Sequence, residues 1–270
     1  RQFAAKWLNQ KEGEQRVRRM KESAAVGRAN FLRLVAESQR GNDVGITPLQ
    51  LLLPHADSKS TRSGEVWISH TPAIRGSIEK YVSPQWIHQA ELPHTASALL
   101  HFLQTCNDHP DQLAETCQWF ASLPYTKGLQ SGMLTPMLSV LRPEPFLLFN
   151  NHSRGVLNHF AETHFGHSIV DYPSANAAGL GLIAEVAAEM LELADRYDLH
   201  LTQLFDHFSH YLAIVGMAAQ PPPQRATKGE SAPPLNRNSP QAAAEVLATL
   251  YPEPEVRRAC EEYLAETIQF

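Results

Sequence analysis

From Glu14 to Gln39 the chain runs without a proline, and Val17, Met20, Ala24, Phe31, Leu34 and Val35 recur at intervals of about three and four residues. Apolar side chains at that spacing share one side of an α-helix and cannot share one face of a strand. The stretch 14–39 is therefore a long helix with an apolar side that other elements must cover, stopped by Gly41-Asn42-Asp43. Helical patterning continues down the chain. Residues 94–106 and 111–121 read as a helix pair broken by Asp108-His109-Pro110, and 131–141 as a short helix framed by Gly128, Gly132 and Pro143/Pro145. Residues 153–164, 177–196 and 200–218 read as further helices, with Ser174 as N-cap of the second. Leu49–Leu53 fits a helical turn or a short strand. A polar loop at 54–64 leads to the best strand candidate, 65–69, and then to a short helix at 73–81. The expected fold is mainly α: a helical domain with at most a small β element.

Three regions follow from composition. Residues 1–218 read as a helical domain. Residues 219–239 carry Pro221, Pro222, Pro223, Pro233 and Pro234 among polar residues with no apolar period, the pattern of a disordered linker. Residues 240–270 read as a short helical segment. No apolar run approaches the roughly 20 residues of a membrane span, so no membrane partner is expected. The first residues show no apolar secretory core. Three cysteines, none spaced as CxxC, argue against a disulfide framework or a zinc ribbon, and a cytoplasmic location is expected.

The net charge of −5 hides an asymmetry, because residues 1–40 hold ten Lys/Arg against four Glu. A uniformly basic nucleic-acid binder is excluded; a local basic arm built on Arg16, Arg18 and Arg19 is not.

Several motifs are absent. There is no G-x-x-x-x-G-K-[ST] phosphate loop, no G-x-S-x-G and no H-E-x-x-H, so no catalytic residue is assigned. Asp206-His207-Phe208-Ser209-His210 sets two imidazoles within a turn of each other, yet no third ligand completes a tetrahedron, and the same residues fit the wet side of a helix whose Phe205, Phe208 and Leu212 face the core. His159, His164 and His167 form a second group that gives no stronger metal signal. Glu185, Glu189 and Glu192 fall on one helix face, a pattern that most often marks a solvated surface. Asp171, Glu185 and Lys127 make a weak nuclease-like set.

The stretch 124–154 is the richest in binding chemistry. Lys127 precedes a glycine that lets backbone approach a ligand. Asn150, Asn151, His152, Ser153 and Arg154 open a helix, where amide groups and a guanidinium favour an anion. Ordinary capping, with Asn151 as N-cap, competes with that reading. Asn150, Asn151 and Gln130 carry amides that can read base edges, and Trp67 carries an indole that can stack on a base.

The runs LLLPHADSKSTRSGEVWISHTPAI (51–74), LPYTKGLQSGMLTPMLSVLRPEPFLLFNNHSRGVLNHF (123–160) and DYPSANAAGLGLIAEVA (171–187) resemble the N-terminal region of McrB-like AAA+ subunits of modification-dependent, 5-methylcytosine-type restriction systems. The likeness covers roughly residues 25–215. It implies a DNA-recognition region in a defence system, with modified DNA as a candidate target. It also implies a downstream module that binds GTP or ATP with Mg, assembles an oligomer and recruits a nuclease subunit. This chain has no Walker lysine, so hydrolysis and its cofactors stay with that other module. The nucleic-acid contacts expected here are Lys127, Gln130, Asn150, Asn151, Ser153, Arg154, Trp67, Arg16, Arg18 and Arg19. A protein-interaction module and a metal-dependent helical hydrolase are the alternatives.

Overall fold

The computed structural model describes residues 2–53, 88–161 and 163–214. All of them lie in the first of the two units into which the chain divides, Arg1–Pro222 and Pro223–Phe270. The expected strand at 65–69, the loop and helix beside it, Trp67, the linker 219–239 and the segment 240–270 fall outside the described residues.

Among the described residues the fold is mainly α, without a strand. A π-helical turn, Ala4–Leu8, precedes α1, Lys11–Gln39. Helix α1 begins three residues earlier than its apolar period suggests. Val17, Met20, Phe31 and Leu34 are buried along it, as the spacing requires. The ambiguous run near residue 50 is helix α2, Thr47–Leu52, opened by a proline in its first turn. Helices α3, Leu92–Asp108, and α4, Leu113–Ser122, form the expected pair, with the Phe102 and Phe120 rings 4.8 Å apart.

Helix α5, Ser131–Leu141, leads to a buried extended run, Phe146–Phe149, and then to α6, Asn151–Phe160. The expected long helix 177–196 starts earlier and is two helices. Helix α7, Tyr172–Glu185, begins with Pro173 in its first turn, so Ser174 lies inside it and does not cap it. The backbone breaks at Val186, and α8, Ala187–Tyr197, follows. Asp198 then closes α8 in the left-handed region at φ 49°. Helix α9, Leu201–Ile214, is last and packs on α6, α7 and α8. One apolar core joins α1 through α9.

The basic helix is no free arm. The Arg16 guanidinium stacks 3.8 Å from the centroid of the Trp7 ring. Lys21 donates to the Tyr197 carbonyl at 2.8 Å and pairs with Asp198 at 2.9 Å. Arg28 donates to the Val140 carbonyl at 2.8 Å. These contacts use the cations to fasten α1 to the rest of the unit.

Candidate functional site

The site grows from the turn before α5. Gly128 takes φ 91°, a left-handed conformation that glycine adopts without a Cβ clash, and this turns the chain sharply between Lys127 and Leu129. Leu129 is buried, while Lys127 and Gln130 on either side are exposed. Gln130 is the N-cap residue of α5, but its side chain does not cap the helix. Its amide is thus left facing solvent at a helix N-terminus.

The second part comes from α6 and the loop after it. Asn158 grips that loop from both sides: its Nδ2 donates to the Phe165 carbonyl, and its Oδ1 accepts from the Phe165 amide at 2.8 Å. The loop in turn fastens to α5, because the His167 carbonyl accepts from the Ser131 amide at 3.0 Å and the Ser131 hydroxyl at 2.8 Å. His167 is thereby held against the first residue of α5. Burial, and then the nearby Arg154 guanidinium, hold its proton affinity below that of an ordinary histidine. Arg154 is half-buried on α6, and burial lowers its own pKa from the usual value. The structure therefore brings Arg154, His167 and the N-terminal end of α5, with Gln130, into one neighbourhood.

Other expected contacts have structural duties. Asn150 is the N-cap of α6, in place of the expected Asn151. Its Oδ1 accepts from the His152 and Ser153 amides at 2.8 and 3.0 Å, and the Ser153 hydroxyl accepts from the Asn150 amide at 2.9 Å. This reciprocal pair is a capping box. Ser153 also donates to the Leu148 carbonyl and is fully buried. Asn151 is exposed, with its Oδ1 3.4 Å from the Arg154 guanidinium. Arg18 and Arg19 are exposed on α1, and Arg18 lies 3.8 Å from Glu22.

The nuclease-like set does not assemble. Asp171 is the N-cap of α7 and Glu185 the last of its 14 residues, so the two lie about 20 Å apart at 1.5 Å per residue. Asp171 instead accepts from the Gly166 amide at 3.1 Å. The stripe Glu185, Glu189 and Glu192 is interrupted at Val186, and all three carboxylates are exposed.

The 206–210 group is not on a wet face. Asp206 is 1% exposed and His207 is fully buried. Asn150, 56 residues away in sequence, donates through Nδ2 to Asp206 Oδ1 at 2.8 Å. Among the described residues no three His, Cys, Asp or Glu side chains are placed to hold a metal ion, and no helix is long and apolar enough to cross a membrane. Comparison of the chain with protein-family models, with curated proteins and with solved structures finds no match.

Proposed function

We propose that this chain is the DNA-recognition region of a McrB-like restriction or defence system, as its sequence resemblance implies. In this reading it touches the phosphate backbone through Lys127, Arg154 and the turn that opens α5. The supporting observation is the tie between the His167 carbonyl and Ser131, which sets the cation of Arg154 beside a second helix N-terminus where Gln130 is exposed. Helix N-termini and guanidinium groups both favour phosphate. Arg18 and Arg19 on α1 are further phosphate candidates, and Asn151 and Gln130 are the amides left for base edges. Asn150 and Ser153 support this surface through the cap. A nuclease subunit, assembly into an oligomer, GTP or ATP with Mg, and a cytoplasmic setting belong to the same proposal and to a downstream module.

A protein-interaction module that binds a nuclease or neighbouring subunits is the second reading. The exposure of Val26 and Leu32 on α1 and of Leu191 on α8 favours it. Salt dependence separates the two. Under the DNA reading, Lys127→Ala and Arg154→Ala each lower the slope of log K against log salt by about 0.9, uniformly across sequences. Variants that leave both affinity and slope unchanged would sink the DNA reading in favour of the interaction module.

A further inference from the structure

Val17, Met20, Phe31 and Leu34 bury one side of α1 in the core. The opposite side carries Arg18, Glu22, Ala25, Ala29 and Leu32, which alternate at intervals of four and three residues. All five are exposed, and Val26 and Arg33, also exposed, border them along one edge. Leu32 at 60% and Val26 at 55% are the most exposed large apolar side chains among the described residues. A helix of 29 residues thus turns toward water a stripe with the spacing of a helix-pairing seam. Ala25 and Ala29, at its middle, are small enough to let a second helix come close. Along the other edge Lys21 and Arg28 are tied to the Tyr197 and Val140 carbonyls of the same unit.

The charges say what fits this face. Glu22 and Arg33 lie about 8 Å to either side of residue 27, at 1.5 Å per residue. Opposite charges at matching distances from an apolar middle make the face complementary to itself once its direction is reversed, which is the condition for a two-fold contact. Glu22 has Arg18 at 3.8 Å, but the two side chains are 68% and 70% exposed, so the carboxylate is open to a second cation.

We propose that the outward face of α1 pairs with the same face of a second copy of this chain, antiparallel, with the two-fold axis near residue 27. In that register Ala25 faces Ala29 of the second copy, and Val26 lies beside its own counterpart. Leu32 covers the stem of Glu22 of the second copy, and Glu22 meets its Arg33. Burial of Val26 and Leu32 drives the contact. The two Glu22–Arg33 pairs set its direction, because a parallel pairing brings like charges to the same level. The contact needs neither DNA nor a downstream module, so it stands or falls apart from the DNA reading.

The test is sedimentation velocity of the full chain, free of nucleic acid, over a wide range of concentration. The unaltered chain is expected to pass from monomer to dimer. Val26→Glu sets two carboxylates side by side at the axis, and Leu32→Glu sets one against Glu22. Each is expected to leave a monomer with the circular dichroism of the unaltered chain, since both positions face water. Glu22→Arg and Arg33→Glu are each expected to weaken pairing by about tenfold. An equimolar mixture of those two variants is expected to pair as the unaltered chain does, because every Arg at the seam then meets a Glu. A monomer at every concentration overturns the pairing and gives the face to a different protein or to a segment of this chain outside the described residues. A dimer that Val26→Glu and Leu32→Glu leave intact overturns it too, as does a mixture no tighter than its components. If either apolar variant does not fold, the charge variants decide.

Discussion

Asn150 serves two elements at once, because its carbonyl oxygen caps α6 while its amide nitrogen donates to Asp206. Losing an N-cap costs about 0.5–2 kcal/mol, and a buried carboxylate deprived of a donor costs a further ~1–3 kcal/mol. Asn150→Ala should therefore destabilise more than a cap alone, whereas Asn151→Ala, one residue on and exposed, should stay within about 0.5 kcal/mol. Urea denaturation of the two variants checks this, and equal losses would mean that the cap is assigned to the wrong asparagine. His167 offers a second check at this scale. Burial and then Arg154 disfavour its protonation, so it binds a proton less readily folded than unfolded, and its contribution to stability is lost as pH falls below about 6.5. Arg154→Ala removes the second of those causes, and the His167 NMR midpoint should rise toward the ordinary value. An unmoved midpoint would separate the two residues that the proposed surface joins. The capping of α6 is legible from the run Asn-Asn-His-Ser, to within one residue. The burial of Asp206 and His207 is not legible, because a polar pair on an amphipathic helix reads as solvated until a distant partner such as Asn150 is known.

At the scale of elements, proline and glycine placement marks the ends of α2, α3, α4 and α5 well, because those residues act locally on φ and on the amide ladder. The break at Val186 carries no such mark. Neither glycine nor proline stands there, and Val186 itself is exposed between the buried Ile183 and Ala194. The α3–α4 pair supplies a prediction about chemistry. Cys106 and Cys117 are both fully buried in it, one turn from Phe102 and Phe120 respectively. Burial pushes the Cys117 thiol up to about 12, and pushes Cys106 higher still, with Cys117 adding to the effect. Only the thiolate attacks an alkylating reagent. In a Cys260→Ser background, iodoacetamide at pH 8 should label neither thiol of the native chain and should label both in denaturant. Labelling at native rates typical of a free thiol would mean that the α3–α4 pair opens.

The described part of the unit is organised around the extended run Phe146–Phe149, which passes through the core with no strand beside it among the described residues. Its backbone groups are met by side chains from three helices. The Leu147 amide donates to Asn176 Oδ1 at 2.8 Å, the Pro145 carbonyl accepts from Asn176 Nδ2 at 2.7 Å, and the Leu147 carbonyl accepts from the Tyr172 hydroxyl at 2.8 Å. The Phe149 amide donates to Thr135 Oγ1 at 2.9 Å, and the Leu148 carbonyl accepts from Ser153. Gly179 of α7 faces this run: a Cβ there would lie 2.1 Å from Leu147 Cδ1, so the Leu147 side chain would have to shift. Backbone groups in so dry a place must be paired, and each one left unpaired costs about 1–3 kcal/mol. Thr135→Val keeps the shape and orphans one amide, so a loss of about 1–3 kcal/mol is expected. Asn176→Ala orphans an amide and a carbonyl and should cost more than Thr135→Val, a large fraction of the roughly 5–15 kcal/mol that holds a domain folded. Thermal or urea melts of both variants rank them. The reverse order, or a loss near zero for Asn176→Ala, would mean that water enters the core along 145–149 and that side chains do not sustain the run.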